Sequence, residues 1–181
     1  MDQVESHHRA EDYEMSDEVE RGNGLVPVQY HQFDISDEHG PAGPDLGRDH
    51  NGLVQVADGA ITVMTGIHTG DVDVTVTLHP TQPSPDSGPW QEIVEVSAHS
   101  ASGDLMVRGI MDDLDEDLPA LSFNGPGHYR LRIHARGRDT AVDLAPDGVT
   151  EWYLIQAWPA PAHEATVLCQ TDVYGATVRS R

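Results

Sequence analysis

Residues 110–123, IMDDLDEDLPALSF, carry five carboxylates, Asp112, Asp113, Asp115, Glu116 and Asp117, within six positions and between apolar flanks. No basic residue stands among them. Carboxylates at this density can coordinate a hard cation, hydrate as a turn, or present an anionic surface to a basic partner. An EF-hand loop needs acids at alternate positions, then a glycine at its sharp turn, then a bidentate Glu at its end. Counted from Asp113, the glycine position is Leu118 and the final ligand position is Asn124, so that motif fails. Irregular Ca²⁺ binding and a plain solvated turn both stay open for this loop.

A second chemistry-bearing pattern is HYRLRIHARGR, with His128, Arg130, Arg132, His134, Arg136 and Arg138 at every second position. On one strand these side chains share a face. Phosphate binding is one reading of such a row. Cross-strand ion pairing with acids such as Glu92 and Glu95 is the other, and the acid excess of the chain favours it. The eleven His include no His-x-His or His-Glu-x-x-His spacing; His31 with Asp34 and Asp49 with His50 are isolated pairs. There is no Gly-x-Ser-x-Gly and no Walker-type loop, and Gly125 and Gly127 enter a strand instead of opening a helix. Cys169 sits in an apolar run where a buried, inert thiol is expected. Trp90, Trp152 and Trp158 fall in or beside apolar segments and read mainly as core, with a sugar-stacking platform as the minor alternative. The residues thus predict neither an enzyme nor a bound cofactor.

The charge balance sharpens the choice. The 181-residue chain has 31 acidic residues against 10 basic ones, a net charge of −21, and every basic residue is Arg. Residues 1–24 account for only −6 of this, so the acidity belongs mainly to the rest of the chain. A surface of this sign repels phosphate backbones and anionic headgroups, which argues against direct nucleic-acid or membrane binding and for a basic protein partner. The single cysteine excludes an internal disulfide, no apolar run reaches the ~20 residues of a membrane span, and the acidic start lacks the pattern of a signal peptide. A cytoplasmic location is expected.

The elements that must position these residues are short and extended. Residues 1–24 have few large apolar side chains and read as a disordered acidic arm, with the folded domain over 25–181. From Leu25 onward come LVPVQYHQFDI, AITVMTG, DVDVTVTLH, WQEIVEVSAH, GDLMVRGIM, HYRLRIHARGR, EWYLIQAW and ATVLCQT, rich in β-branched and aromatic residues and often alternating with period two. In DVDVTVTLH, Val72, Val74, Val76 and Leu78 fall on one face and Asp71, Asp73, Thr75 and Thr77 on the other. The links SDEHGPAGPDLGRDHNG and HPTQPSPDSGP are rich in Pro and Gly. No segment of helical length carries a sustained 3.6-residue apolar stripe. The pattern predicts an all-β domain, an antiparallel β-sandwich or jelly-roll-like fold.

Several of these segments, in order and approximate spacing, resemble the competence protein ComJ family of DNA-entry nuclease inhibitors: VQYHQFDI, VADGAITV, VTVTLHP, LSFNGPGHYRLRI and EWYLIQAWP. Tyr30–Phe33 and Ala57–Ile61 are its most specific parts, and it covers Val28 to Pro159. The acidic arm, the Pro-rich loop at 80–89 and the extension after Pro159 depart from it. The resemblance implies a small acidic protein that binds a nuclease and silences it. Asp112, Asp113, Asp115, Glu116 and Asp117 are then expected to face that basic partner, a nuclease or nuclease toxin. A carbohydrate- or calcium-binding β-sandwich module is the alternative.

Overall fold

The computed structural model describes residues 18–38, 51–57, 60–109, 115 and 117–181. Its ten strands are β1 (Glu20–Gln29), β2 (Gln32–Asp37), β3 (Val54–Ala57), β4 (Ala60–Met64), β5 (Thr69–Leu78), β6 (Glu92–Ser100), β7 (Leu105–Arg108), β8 (Gly127–Arg136), β9 (Trp152–Pro159) and β10 (Thr166–Gln170). A short helix, α1 (Val173–Arg179), comes after them. The alternation in β5 does what it predicts, since Val72, Val74, Val76 and Leu78 are all fully buried. In the same core cluster are Val26 and Val28 of β1, Val94 and Val96 of β6, Leu131 and Ile133 of β8, and Tyr153 and Ile155 of β9. No described helix is long and apolar enough to cross a membrane.

The strands do not divide into two antiparallel layers. They form one sheet in the order β10-β6-β8-β9-β5-β1-β2-β4-β3, with β7 also on β2, curled into a half-barrel. The sheet is mixed: β5 and β9 run parallel, from Asp73 beside Trp152 to Leu78 beside Ala157. The expectation of an antiparallel sandwich or jelly roll is therefore corrected to a mixed, curled sheet. The reason is in the links. β5 and β6 point the same way with β9 and β8 between them, so the Pro-rich chain between β5 and β6 must cross the sheet instead of turning a hairpin. Residues 160–165 make a second crossing on the way to β10.

The crossings explain the basic row. Irregular chain over a sheet leaves carbonyls without ladder partners, and each needs a donor. Arg132 donates to the Pro83 carbonyl at 2.7 Å, and Arg130 to those of His163 and Glu164 at 3.0 and 2.7 Å. Arg130, Arg132 and His134 are buried beneath the crossings. Both acids expected as partners of the row meet an Arg of it: Glu95 lies 3.6 Å from Arg132, and Glu92, on the other face of the sheet beside Ala135, lies 3.7 Å from Arg138.

Other boundaries also move. β1 begins at Glu20, so Glu20–Gly24, assigned by composition to the arm, pair with Val74–Leu78 of β5. Gly22-Asn23-Gly24, within that stretch, lie extended in the strand. Residues 1–17 lie outside the described residues. Helix α1 is seven residues long, too short for a stripe, and is capped by Asp172, whose carboxylate accepts the Gly175 amide at 2.7 Å. Cys169 is half-exposed on β10 rather than buried.

Candidate partner-binding surface

Asp112, Asp113 and Glu116 lie outside the described residues; Asp115 and Asp117 are described. The Asp115 carboxylate accepts the Asp117 amide at 2.8 Å and its carbonyl accepts the Leu118 amide at 3.1 Å, which closes a turn. Leu118 and Leu121 are buried and pin the chain on the C-terminal side of this turn to the core. The turn lies directly on β1: a Cβ at Gly24 would run into the Asp115 carboxylate, and one at Gly22 into the Asp117 carbonyl and the Pro119 ring. The two glycines are thus what lets the acidic loop approach the sheet. Asp115 has a local structural task, whereas Asp117 is exposed. Among the described residues, no group of three His, Cys, Asp or Glu converges as a metal site. Each Trp ring carries a guanidinium: Arg132 over Trp158 at 4.9 Å, and Arg136 over Trp152 at 4.3 Å and Trp90 at 5.8 Å. Each guanidinium covers one face of its ring, and Trp158 is buried.

A second surface forms at the tip of the β1–β2 hairpin. Its two-residue turn is Tyr30-His31, with φ of 55° and 63°. A turn with both central residues at positive φ ordinarily takes Asn-Gly, and the left-handed region costs other residues about 1–2 kcal/mol each. The surroundings hold it in place. The Thr65 amide donates to the His31 carbonyl at 2.9 Å, and His31 Nε2 lies 3.0 Å from Asp143 Oδ1. The His31 ring stacks on Tyr174 at 6.0 Å and meets the His68 ring edge-on at 5.2 Å. Beside the turn, Asp139, Val142, Asp143, Val173, Tyr174 and Thr177, with Arg181, line a cavity of about 360 Å³. Tyr30, Leu144 and Val173 are 70%, 61% and 70% exposed, large side chains left open to solvent. Tyr30-His31 was legible as part of a family-like motif; its strained turn and its cavity were not.

Behind the cavity wall sits a buried ionic cluster. Arg138 binds Asp172 through Nε at 2.7 Å and Nη2 at 2.9 Å, and Glu92 Oε1 lies 3.7 Å from Arg138 and 3.8 Å from Arg179. Burial, then the Asp172 carboxylate, pushes Glu92 up to about 8. Burial alone would raise Asp172 too, but the bonds from Arg138 and Glu92 hold it below the usual range. Burial also keeps Glu151 above the ordinary carboxylate range, against the bonds it accepts from Tyr153, Gly66 and Ile67. These groups tie the C-terminal helix and the loop after β4 to the sheet; Arg138, Asp172, Glu92 and Glu151 are buried, and Arg179 is partly exposed.

No protein-family model and no curated protein matches the chain. Among solved structures it is similar to ComJ, inhibitor of the DNA degrading activity of NucA, from Bacillus subtilis. The two share 19% identity with a TM-score of 0.51, over 79% of this chain and 97% of that one. It is also similar to a protein described as crocagin biosynthetic gene J, at 15% identity and a TM-score of 0.46, over 78% and 98% of the two chains. The ComJ-like character carried in the sequence by Tyr30–Phe33 and Ala57–Ile61 is present in the structure as a likeness of fold.

Proposed function

We propose that the protein is a stoichiometric inhibitor of a basic, DNA-degrading nuclease, acting in the cytoplasm by occupying the nuclease's nucleic-acid groove without chemistry of its own. The observation that carries this reading is a net charge of −21 on a ComJ-like fold. A nuclease must present cations to hold a phosphate backbone. A folded acidic surface can displace the counterions of the same groove, which steers encounter and excludes the substrate. Within this reading Asp112, Asp113, Asp115, Glu116 and Asp117 form the loop that enters the groove. Asp115 shapes the turn and Asp117, already exposed, meets the partner's cations. The anchoring of the turn on Gly22 and Gly24 supports this, because a held loop loses less entropy on binding than a free one.

The test is a titration of DNA degradation by a NucA-like nuclease from the organism that carries this chain. Activity should vanish at one equivalent, and replacement of Asp113, Asp115 and Asp117 by Asn should slow inhibition with little change in melting temperature. Undiminished DNA degradation at several-fold excess of the protein would rule the reading out.

A further inference from the structure

Among the described residues, the non-glycine positions with positive φ are Tyr30, His31 and Asp143; Asp143 lines the cavity, His31 faces Asp143 at 3.0 Å, and Tyr30 precedes His31 in the turn. Strain of this kind persists only where neighbours over-determine it, and it concentrates where side chains are aimed for use. The three residues are each held by a neighbour: His31 by Thr65, Asp143 by the hydrogen bond its amide donates to the Gly66 carbonyl at 2.9 Å, and Tyr30 by an edge-on contact with the His68 ring at 5.4 Å. The result is an acidic cavity with an exposed apolar border. The acidic loop explains none of it.

We propose that this cavity receives an arginine side chain from a projecting loop of the basic partner, with Asp143 as the ion-pairing group and Tyr30 and Val173 as the apolar collar. The proposal rests on the reading of a basic protein partner and adds the place where that partner is gripped. Charge selects the occupant. Asp143 is 67% exposed, and His31 faces only its Oδ1; Oδ2 meets no donor among the described residues. Both Asp139 oxygens accept amides, from Val173 at 2.9 Å and Tyr174 at 2.8 Å, so Asp139 adds negative charge while holding the helix. A planar guanidinium suits a carboxylate beside aromatic rings better than an ammonium does. Tyr174 already meets one such group, Arg138, at 5.1 Å from its ring. A second copy of a chain carrying −21 would be repelled from this surface. Arg181 lines the same cavity and competes for the position an incoming guanidinium would take.

The direct test is amide NMR of the full chain titrated with N-acetylarginine amide, with the neutral citrulline amide as control. Saturable shifts are expected at Tyr30, His31, Asp143 and the start of helix α1 for the arginine compound alone. Asp143→Asn should abolish them, and Arg181→Gln should tighten binding. Equal shifts with citrulline, shifts that persist in Asp143→Asn, or weakening by Arg181→Gln would overturn the proposal. In a parallel arm with the NucA-like nuclease, Tyr30→Asn should weaken binding by about tenfold or more without lowering the melting temperature. If Tyr30→Asn and Asp143→Asn both bind that nuclease as the parent does, the cavity is not the grip, although the inhibitor reading survives. If the parent ignores the nuclease yet responds to the arginine compound as expected, the cavity stands and the nuclease reading falls.

Discussion

Glu92 and His134 occupy opposite faces of the sheet, and burial moves both in the direction that keeps them neutral. Their effects on stability have opposite signs. Glu92, raised to about 8 from an ordinary 4.5, holds a proton in the folded state that the unfolded chain has lost, so stability falls as pH rises across that window. His134, lowered by burial to about 4 from 6.5, is neutral when folded and charges on unfolding, so stability falls as pH drops from about 6.5 to 4. Where the windows overlap the slopes oppose each other; above about 6.5 only the Glu92 slope remains. The melting temperature should therefore decline between about pH 6.5 and 8, and Glu92→Gln should remove that decline. A decline that survives in the Gln variant would place its origin elsewhere. The cluster around Arg138 is also the costliest to break: Asp172→Ala leaves the guanidinium short of its main partner and should cost about 3–5 kcal/mol by chemical denaturation. Part of this was legible. The parity of WQEIVEVSAH already sets Glu92 with Val94 and Val96 on the apolar face. Arg138 was not legible, because Gly137 at φ 89° breaks the alternation of β8 and turns Arg138 away from the row it extends in sequence.

At the scale of elements, two features of β1 make opposite predictions. Its last turn is strained at Tyr30, and Asn tolerates the left-handed region better than Tyr, so Tyr30→Asn should raise stability by roughly 1 kcal/mol in a urea melt. A loss would show that the ring contact with His68 outweighs the strain. Its first half lies beneath the acidic loop. Gly22→Ala meets the Asp117 carbonyl and the Pro119 ring, which cannot yield without moving the loop, whereas Gly24→Ala meets the far end of the Asp115 side chain, which can rotate aside. Both should destabilise, with Gly22→Ala costing about 1–3 kcal/mol and more than Gly24→Ala. Equal costs would mean that the loop does not rest on the strand as described. The strands themselves could be read from period-two alternation, and β5 and β8 most clearly. The parallel β5–β9 pair could not, since alternation sets which face a residue takes but not which strand becomes its neighbour. Nothing in Glu20–Gly24 announces a strand, because this stretch is held by its register partners on β5 and not by its own side chains.

At the scale of the whole molecule, the excess of carboxylates was legible from composition. The buried Arg row, which resembles a phosphate site in the sequence, is spent on the carbonyls of two crossing segments. What remains at the surface is dominated by acid. The hairpin-tip cavity was not legible, because it gathers residues from 139–143 and 173–181 beside the 30–31 turn, which only the curled sheet brings together. The most direct measurement of the central claim is calorimetric titration of the full chain with the NucA-like nuclease at low and at high salt. A one-to-one complex is expected, with an affinity that falls by on the order of tenfold or more as salt is raised, since the contact depends on opposite charge. No complex at low salt, or a complex whose affinity is indifferent to salt, would contradict it.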